Sequence, residues 1–186
     1  MSWRVVITGS ECTGKTTIAR DIAARLGAPW VAESSRAYAA ARGGVLSAAD
    51  VEPIARATIA AQHAAQHTAQ DAGIKSIVFD TDLMSTLVYA RAYYGECPAW
   101  IEEECRAQLA DIYLLCAPDI PWVADGIRDR PSSADRAAMH HAFADTLQAM
   151  GAHVVTVTGA GDARLDVALH ALHAVHAARP LEAPVG

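Results

Sequence analysis

The sequence predicts a three-layer α/β fold, in which a parallel five-stranded sheet lies between two layers of helices. Five short apolar runs alternate with longer segments of helical periodicity along the 186 residues. Glycine and proline mark many of the boundaries between these segments. Hydrophobic residues make up 52% of the chain, which is enough to build a sizeable core, so disorder is not expected.

The first half of the chain contains three predicted strands and three predicted helices. The strands are the apolar runs 3–8, 29–32 and 75–79, and the helices cover 17–26, 34–42 and 48–72. The first helix carries apolar residues at Ile18, Ile22 and Leu26, which lie on one helical face. A glycine pair ends the second helix, Ser47 is a suitable cap for the third, and Gly73 ends it.

The second half continues the same alternation. Strands are predicted at 112–116 and 153–157, and helices at 84–93, 99–109, 133–150 and 162–177. Ser133 is expected to cap the helix that begins there. Residues 1–178 are expected to form a single domain, because no linker or low-complexity tract divides them. The tail 179–186 contains two prolines and is expected to be flexible.

The most informative segment is Gly9-Ser10-Glu11-Cys12-Thr13-Gly14-Lys15-Thr16-Thr17. It fits G-x-x-x-x-G-K-[ST], the phosphate-binding P-loop, and it lies between a strand and a helix as that motif requires. The whole segment is expected to bind ATP, with backbone N–H groups and the helix start facing the phosphates. Lys15 would reach the β- and γ-phosphates during catalysis, and the Thr16 hydroxyl would hold Mg²⁺. Cys12 is either a reactive thiol or, as we favour, a small filler residue.

Acidic residues stand where the second and third strands end, at the edge of a parallel sheet where ligands bind. Asp80 is predicted to be catalytic and, with Thr16, a ligand of Mg²⁺. Asp82 either faces the substrate or caps the next helix. Glu33 could take the proton of an attacking hydroxyl as a catalytic base. The roles of base and metal ligand could also be exchanged between Glu33 and Asp80. Arg36 could bind phosphate or orient Glu33. The alternative for Glu33 and Arg36 is an ordinary ion pair at a helix start, and we favour function.

A charged segment follows the fourth strand and its Asp119. Arg128, Arg130 and Arg136 are spaced to form an arginine-bearing lid, about 122–136, over the phosphates. The planar guanidinium group suits this task because it binds phosphate oxygens in a bidentate way. We assign Arg128 to catalysis and Arg130 to nucleotide binding. The alternative is a solvated loop with weak Asp–Arg pairs.

Composition excludes several classes of function. The net charge of −6 argues against a broad nucleic-acid interface, which needs a basic face. No apolar run approaches the roughly 20 residues of a membrane-spanning helix. The absence of a signal peptide at the start leads us to expect a cytoplasmic protein. Asparagine is absent from the chain, so the N-K-x-D guanine motif of small GTPases cannot be present. The histidines, including His63 and His67, are interpreted as surface residues.

Several segments taken together resemble the ribosylnicotinamide kinase domains of the NadR type. They are the P-loop, the segment Glu33–Arg36, the triplet Asp80-Thr81-Asp82 and, most specifically, the segment 121–128. The resemblance covers nearly the whole chain in the same order. It implies an ATP- and Mg²⁺-dependent kinase that phosphorylates the 5′-hydroxyl of nicotinamide riboside in NAD salvage. It also implies a substrate site that includes Glu33, Arg36, Asp82, Tyr93, Trp122 and Asp125.

One departure from the family concerns the recognition of the nicotinamide ring. The family has an aromatic residue where this chain has Ala32, so Trp30, Tyr93 and Trp122 are the remaining candidates to contact the nicotinamide ring. The expected partner is a small nucleoside, with neither nucleic acid nor membrane involved. Two alternatives stay open: a kinase for another nucleoside or metabolite, and a regulatory ATPase switch that acts on a protein partner.

Overall fold

The computed structural model describes residues 2–122 and 132–177. In chain order, the elements are β1 (Trp3–Thr8), α1 (Lys15–Leu26), β2 (Trp30–Val31), α2 (Ser34–Ala41), α3 (Val51–Asp71), β3 (Ser76–Asp80), α4 (Leu83–Tyr94), α5 (Ala99–Ala107), β4 (Ile112–Cys116), α6 (Ser133–Ala149), β5 (Val154–Val157) and α7 (Gly161–Ala177). Among these described elements, no helix combines the length and apolar character needed to cross a bilayer.

The five strands form one parallel sheet in the order β2–β3–β1–β4–β5. The central strand β1 pairs with β3, where Val5 lies opposite Val78, and with β4, where Val6 lies opposite Tyr113. All strands therefore end at the same edge, and the P-loop, Glu33, Asp80 and the segment after β4 follow them there. The predicted parallel five-stranded α/β fold is confirmed.

Alternation along the strands divides the core into two layers. Val6, Phe79 and Tyr113 face one side of the sheet, where α3, α4, α5 and α6 cover them. Val5 and Ile7 face the other side, where α1 and α7 cover them. A fully buried side chain such as Phe79 contributes about 1.5–3 kcal/mol to folding. Helices on both faces of a parallel sheet hold its functional edge rigid.

Three differences from the predicted boundaries have a clear local cause. A 3₁₀ turn, Ala48–Asp50, precedes α3, whereas the sequence predicted a continuous helix from residue 48. Pro53 explains the difference, because it lacks an N–H group and fits only in the first turn of an α-helix. The cap of α6 is Ser132, not Ser133: its hydroxyl accepts from the N–H groups of Ala134 and Asp135. Helix α1 begins at Lys15, inside the P-loop motif.

Three residues assigned from the sequence lie outside the described residues. They are Asp125, Arg128 and Arg130, and the predicted tail 179–186 also lies outside them. Arg136 is described, and it lies in the first turns of α6, buried from solvent. Its guanidinium group donates to the carbonyl oxygen of Ile120 at 3.0 Å, so this arginine braces the segment after β4.

Candidate active site

The P-loop passes so close to β4 that its first position accepts only glycine. A Cβ atom on Gly9, whose φ is +129°, would lie 2.8 Å from the carbonyl oxygen of Cys116. Gly14 has a φ of +75° and directly precedes α1. Cys12, buried in the loop, also adopts a positive φ of 55°. Residues other than glycine rarely adopt a positive φ, so the contacts around the loop hold its backbone in a strained conformation.

Two side chains of the loop converge on one carbonyl group. The Thr13 hydroxyl and the Lys15 ammonium group each donate to the carbonyl oxygen of Ser10 at 2.8 Å. The first intrahelical bond of α1 runs from the N–H of Ile18 to Gly14, at 3.1 Å. The preceding N–H groups of α1 have no partner within the helix and are oriented to bind an anion. The loop therefore forms a cradle for phosphate oxygens.

Thr16 and Asp80 meet at the floor of this cradle. The Thr16 hydroxyl donates to Asp80 Oδ2 at 2.6 Å. Burial raises the pKa of Asp80, and the negative charge of Glu33 raises it further, while the Thr16 hydrogen bond and Lys15 oppose the shift. Asp80 Oδ1 is buried without a hydrogen-bond partner among the described residues. This buried oxygen beside a hydroxyl fits a hard cation, which prefers oxygen ligands.

The described residues do not supply a complete metal site by themselves. Within 2–122 and 132–177, no group of three His, Cys, Asp or Glu side chains is placed to hold an ion. Mg²⁺ commonly keeps several waters and is bound by one or two protein groups together with substrate phosphates. Thr16 and Asp80 therefore suit an ion that arrives with a nucleotide.

Glu33 lies at the start of α2, and the next turn of that helix supports its carboxylate. The Ser35 hydroxyl donates to Glu33 Oε1 at 2.7 Å, and Arg36 Nε lies 3.5 Å from Oε2. The Glu33 side chain is 17% exposed and that of Arg36 is 48% exposed. The predicted alternative, an ion pair at a helix start, is thus present. The same carboxylate also lines the cavity described below, so the pair is compatible with a role in chemistry.

Asp82 occupies the other predicted position after β3, and it does cap a helix. Its Oδ1 accepts from the N–H of Met84 at 3.1 Å, and its Oδ2 accepts from the Tyr113 hydroxyl at 2.7 Å. Burial raises the pKa of Asp82 to about 6, although both hydrogen bonds oppose the shift. Asp82 is also among the residues that line the cavity. Capping and a place beside the substrate, the two alternatives from the sequence, are therefore not exclusive.

A cavity of about 490 Å³ opens beside the P-loop. It brings together Glu33, Arg36, Asp82 and Tyr93, four of the residues assigned to substrate binding from the sequence. Lys15 and Glu11 of the P-loop line the same cavity, so it is continuous with the phosphate cradle. The remaining lining residues are Thr81, which follows β3, and residues of α2, the segment 44–47, α3 and α4. Its lining combines apolar and aromatic side chains with a few charged ones, which suits a small polar molecule with a flat ring.

Aromatic side chains of α4 form one wall of this cavity. The rings of Tyr89 and Tyr93 stack with their centroids 5.9 Å apart and an interplanar angle of 19°, and Tyr94 lies beside Tyr93. The Tyr89 hydroxyl donates to Glu11 Oε2 at 3.1 Å. Tyr89 was not predicted from the sequence. Its spacing could have revealed it, because Ser85, Tyr89 and Tyr93 recur every four residues and share one helix face.

Two tryptophans that were proposed to contact the nicotinamide ring do not line the cavity. Trp30 packs with α1 and α7, on the face of the sheet opposite to the cavity, and the guanidinium group of Arg20 lies 4.5 Å from its ring centroid. This corrects the expectation that Trp30 could contact the substrate. Trp122 is half-buried and is not among the residues that line the cavity. Asp119 is engaged by Arg164 of α7 and by the N–H of Gly159, so it stabilises the end of β4.

Two curated proteins have sequences similar to that of this chain. The trifunctional NAD biosynthesis/regulator protein NadR of Salmonella typhimurium is 27% identical over 149 residues, and NadR of Escherichia coli is 26% identical. The matched region is 77% of this chain and 35% of each NadR protein. The chain therefore spans about a third of the length of the curated relatives it matches.

Solved structures agree with the fold. A NadR protein in complex with NR has a TM-score of 0.75 at 25% identity, over 97% of this chain and 53% of that one. A NadR protein in complex with NAD and AMP-PNP has a TM-score of 0.77 at 22% identity, over 98% of this chain and 51% of that one. Deoxyadenosine kinase from M. mycoides, at 13% identity, has a TM-score of 0.61, over 91% of this chain and 99% of that one, and supports the fold alone.

The family follows from a match that covers most of the chain. Residues 4–164 match the family described as an AAA domain, which is a P-loop domain. The match includes the P-loop, both acidic strand ends and the cavity. The resemblance to ribosylnicotinamide kinase domains of the NadR type is confirmed by the relatives and the solved structures. The chain therefore belongs to the AAA domain family, and part of the NadR protein is similar to it in sequence and in fold.

Proposed function

We propose that this protein transfers the γ-phosphoryl group of ATP to the 5′-hydroxyl of nicotinamide riboside, with Mg²⁺ as cofactor. The observation that carries the proposal is the single cavity that joins Lys15 of the phosphate cradle, the carboxylate of Glu33 and the aromatic wall of α4. It offers a place for a polyphosphate, a hydroxyl and a flat ring in that order. Similarity to NadR structures determined with NR and with AMP-PNP supports this choice of acceptor and donor.

On the donor side, the chain's contribution is position and charge. The N–H groups at the start of α1 and the ammonium group of Lys15 would hold the β- and γ-phosphates. Thr16 and Asp80 would hold Mg²⁺, which supplies charge neutralisation to the phosphates when bound. Arg128 and Arg130, outside the described residues, are proposed to cover the phosphates. Stabilising charge where it develops is the main source of rate enhancement in phosphoryl transfer.

On the acceptor side, Glu33 is proposed as the base. The 5′-oxygen forms a bond to the γ-phosphorus while the bond between that phosphorus and the β–γ bridging oxygen breaks, and ADP leaves with the electron pair. The hydroxyl proton passes to the Glu33 carboxylate. Ser35 and Arg36 keep that carboxylate in place through the contacts at 2.7 and 3.5 Å.

The alternative of a regulatory switch receives less support. A protein-binding switch would favour a large exposed apolar patch. Among the described residues, the large hydrophobic side chains that are exposed are Val45, Tyr93 and Val167. Val45 and Tyr93 line the cavity, and Val167 lies on α7 across the sheet. These side chains form no continuous docking surface, whereas two of them are placed to contact a small acceptor.

The test is ADP release and phosphorylated product measured with equal concentrations of nicotinamide riboside, adenosine, cytidine and thymidine. Nicotinamide riboside should be the fastest acceptor. Activity on common nucleosides alone would assign the protein to another nucleoside kinase function. ATP hydrolysis that no nucleoside changes would assign it to the switch class.

A variant tests the base. Glu33→Gln should lower kcat with nicotinamide riboside by about 10²–10⁴-fold, the usual contribution of a general base. The matched control is Glu52→Gln, which removes another carboxylate from a helix start, paired with Arg56 at 3.3 Å and outside the cavity. The control should keep its activity. Equal, small losses in both variants would mean that Glu33 is only an ion-pair partner.

A further inference from the structure

A hydrogen bond connects the aromatic wall of the cavity to the phosphate cradle. The hydroxyl of Tyr89, on α4, donates to Oε2 of Glu11, in the P-loop, across 78 residues of sequence. Both residues line the cavity. The wall that would contact the acceptor and the loop that would hold the donor are therefore joined directly.

The tyrosine end of this connection is held firmly. The ring of Tyr89 meets the edge of Phe143 with centroids 5.6 Å apart, and it stacks on Tyr93 at 5.9 Å. Phe143 is fully buried in the core below α4. Burial raises the pKa of Tyr89 well above its ordinary value, and the charge of Glu11 adds to this. The hydroxyl is thus a neutral donor at any physiological pH, facing a carboxylate acceptor.

The loop end has unusual backbone conformations. Glu11 lies between Gly9 and Gly14, and its neighbour Cys12 has a positive φ. Residues in such conformations persist only when surrounding contacts hold them. The bonds from Thr13 and Lys15 to Ser10 lie within the loop and fix its local shape. The Tyr89 hydroxyl fixes the loop relative to α4, which the internal bonds cannot do.

We propose that Tyr89, acting through Glu11, is a positioning residue that couples occupation of the acceptor cavity to the orientation of the donor phosphates. An acceptor ring packed on the aromatic wall restrains Tyr89 and Tyr93, so that Glu11 and the P-loop hold the γ-phosphate in line with the acceptor hydroxyl. This inference rests on the proposed kinase function. Small errors in the alignment of reacting groups are costly, because much of the rate enhancement comes from orientation.

Loss of the coupling has a defined chemical consequence. In productive turnover, the 5′-oxygen attacks the γ-phosphorus, and ADP and the phosphorylated nucleoside form in equal amounts. In unproductive turnover, a water oxygen attacks the same phosphorus, the same bond to the bridging oxygen breaks, and the products are ADP and inorganic phosphate. The released proton goes to solvent. The ratio of inorganic phosphate to phosphorylated nucleoside therefore measures the coupling.

The primary experiment compares two matched hydroxyl deletions in the full chain. Tyr89→Phe removes the bond to Glu11, while Tyr38→Phe removes a bond of 3.0 Å to another carboxylate, Asp50, from a residue that does not line the cavity. With ATP and nicotinamide riboside, Tyr89→Phe should lower kcat roughly tenfold, as expected for a hydrogen bond to a charged group. The acceptor KM should change by less than about threefold, and the share of inorganic phosphate should rise. Tyr38→Phe should leave kcat and the product ratio unchanged.

A double-mutant cycle adds a readout that a merely structural role would not move. If Tyr89 acts through Glu11, adding Tyr89→Phe to Glu11→Ala should cost little more than Glu11→Ala alone. Glu11→Gln keeps an oxygen that can accept from Tyr89 and should retain more of the coupling than Glu11→Ala. These variants also keep the inference testable if Tyr89→Phe itself folds poorly.

Several outcomes would overturn the inference. Wild-type kcat and product ratio in Tyr89→Phe would do so, and so would a rise in KM alone, which would make the contact one of simple binding. Full additivity in the cycle would show that Tyr89 does not act through Glu11. A wild-type protein that phosphorylates no nucleoside would remove the proposed function, and this inference with it. A wild-type kinase with an unaffected Tyr89→Phe variant would remove the inference alone.

Discussion

The donor cradle and the acceptor cavity meet at Lys15, yet the chain builds them in different ways. The cradle is one contiguous segment of backbone between β1 and α1, completed by Asp80 from the neighbouring strand. The cavity is assembled from side chains of the P-loop, α2, the segment 44–47, α3 and α4. A backbone site is encoded by local sequence, whereas a wall of side chains depends on how distant helices pack. Donor binding is therefore fixed by one short motif, whereas the choice of acceptor can change through side chains of several elements.

The largest expected effect comes from the cradle. Lys15→Ala removes the ammonium group that would meet the β- and γ-phosphates, so kcat should fall by about 10²–10³-fold. The melting temperature should change little, because the side chain is only half-buried and bonds to its own loop. Turnover with nicotinamide riboside and thermal unfolding are the measurements.

The chain offers a natural control, since it contains only two lysines. Lys75 is exposed at the start of β3, away from the strand ends that carry the site. Lys75→Ala should keep wild-type turnover. If Lys15→Ala also kept it, the cradle would not be the donor site, and the comparison between the two regions would lose its basis.

This contrast also explains how much could be predicted from the sequence. The P-loop, the strand ends and the pairing of Thr16 with Asp80 follow from local patterns, because motif spacing and strand register place those groups. Tyr89 was missed, since its role depends on α4 packing beside the P-loop. Trp30 was proposed for the ring, yet it lies within β2 and faces α1 and α7, whereas its neighbour Val31 faces the side of the cavity. The reason is that one position of register turns a side chain to the opposite face of the sheet.

Burial decides two other outcomes that the sequence could not. Arg136 has the spacing of a lid residue, but its place in α6 turns it inward, towards the carbonyl group of Ile120. Asp82 has the position of a substrate residue, but its carboxylate also caps α4 and accepts from Tyr113. The contacts from Arg136 to Ile120 and from Tyr113 to Asp82 join residues 16 and 31 positions apart, and they form only when the helices pack on the sheet.

The second effect concerns Asp82, which joins the cavity to the core. Its pKa is about 6 in the folded protein, above the ordinary value of 3.8, so folding favours the protonated form. The contribution of protonated Asp82 to the free energy of unfolding is fully present below about pH 4 and is lost as the pH rises through 6. In Asp82→Asn this titration is absent. The free energy of unfolding of wild type minus that of Asp82→Asn should therefore fall between pH 4 and 7, by on the order of 2 kcal/mol.

Urea unfolding of both proteins across that pH range is the measurement. Asparagine keeps an oxygen that can cap α4, so the cap itself is retained in the variant. Titrations elsewhere in the chain are shared by the two proteins and cancel in the difference. Parallel pH profiles would show that the Asp82 carboxyl does not titrate differently in the folded state. The stability of the cavity side that Asp82 lines would then not depend on its protonation, in contrast to what the burial of Asp82 implies.

The smallest expected effect concerns the exposed end of the aromatic wall. Tyr93 is 44% exposed and lines the cavity, and its ring is proposed to contact a flat cationic acceptor. A cation–π contact contributes about 0.5–2 kcal/mol, so Tyr93→Ala should raise the KM for nicotinamide riboside roughly 2- to 30-fold. Tyr93→Phe keeps the ring and should stay close to wild type. The KM for ATP should not change in either variant, because Tyr93 lies in the acceptor wall and not in the cradle. The neutral dihydro form of the acceptor, nearly the same shape without the charge, separates two explanations. If Tyr93→Ala weakened both forms equally, the ring would act through contact area alone, and the selection of a cation would have to come from the carboxylates of Glu11 and Glu33 instead.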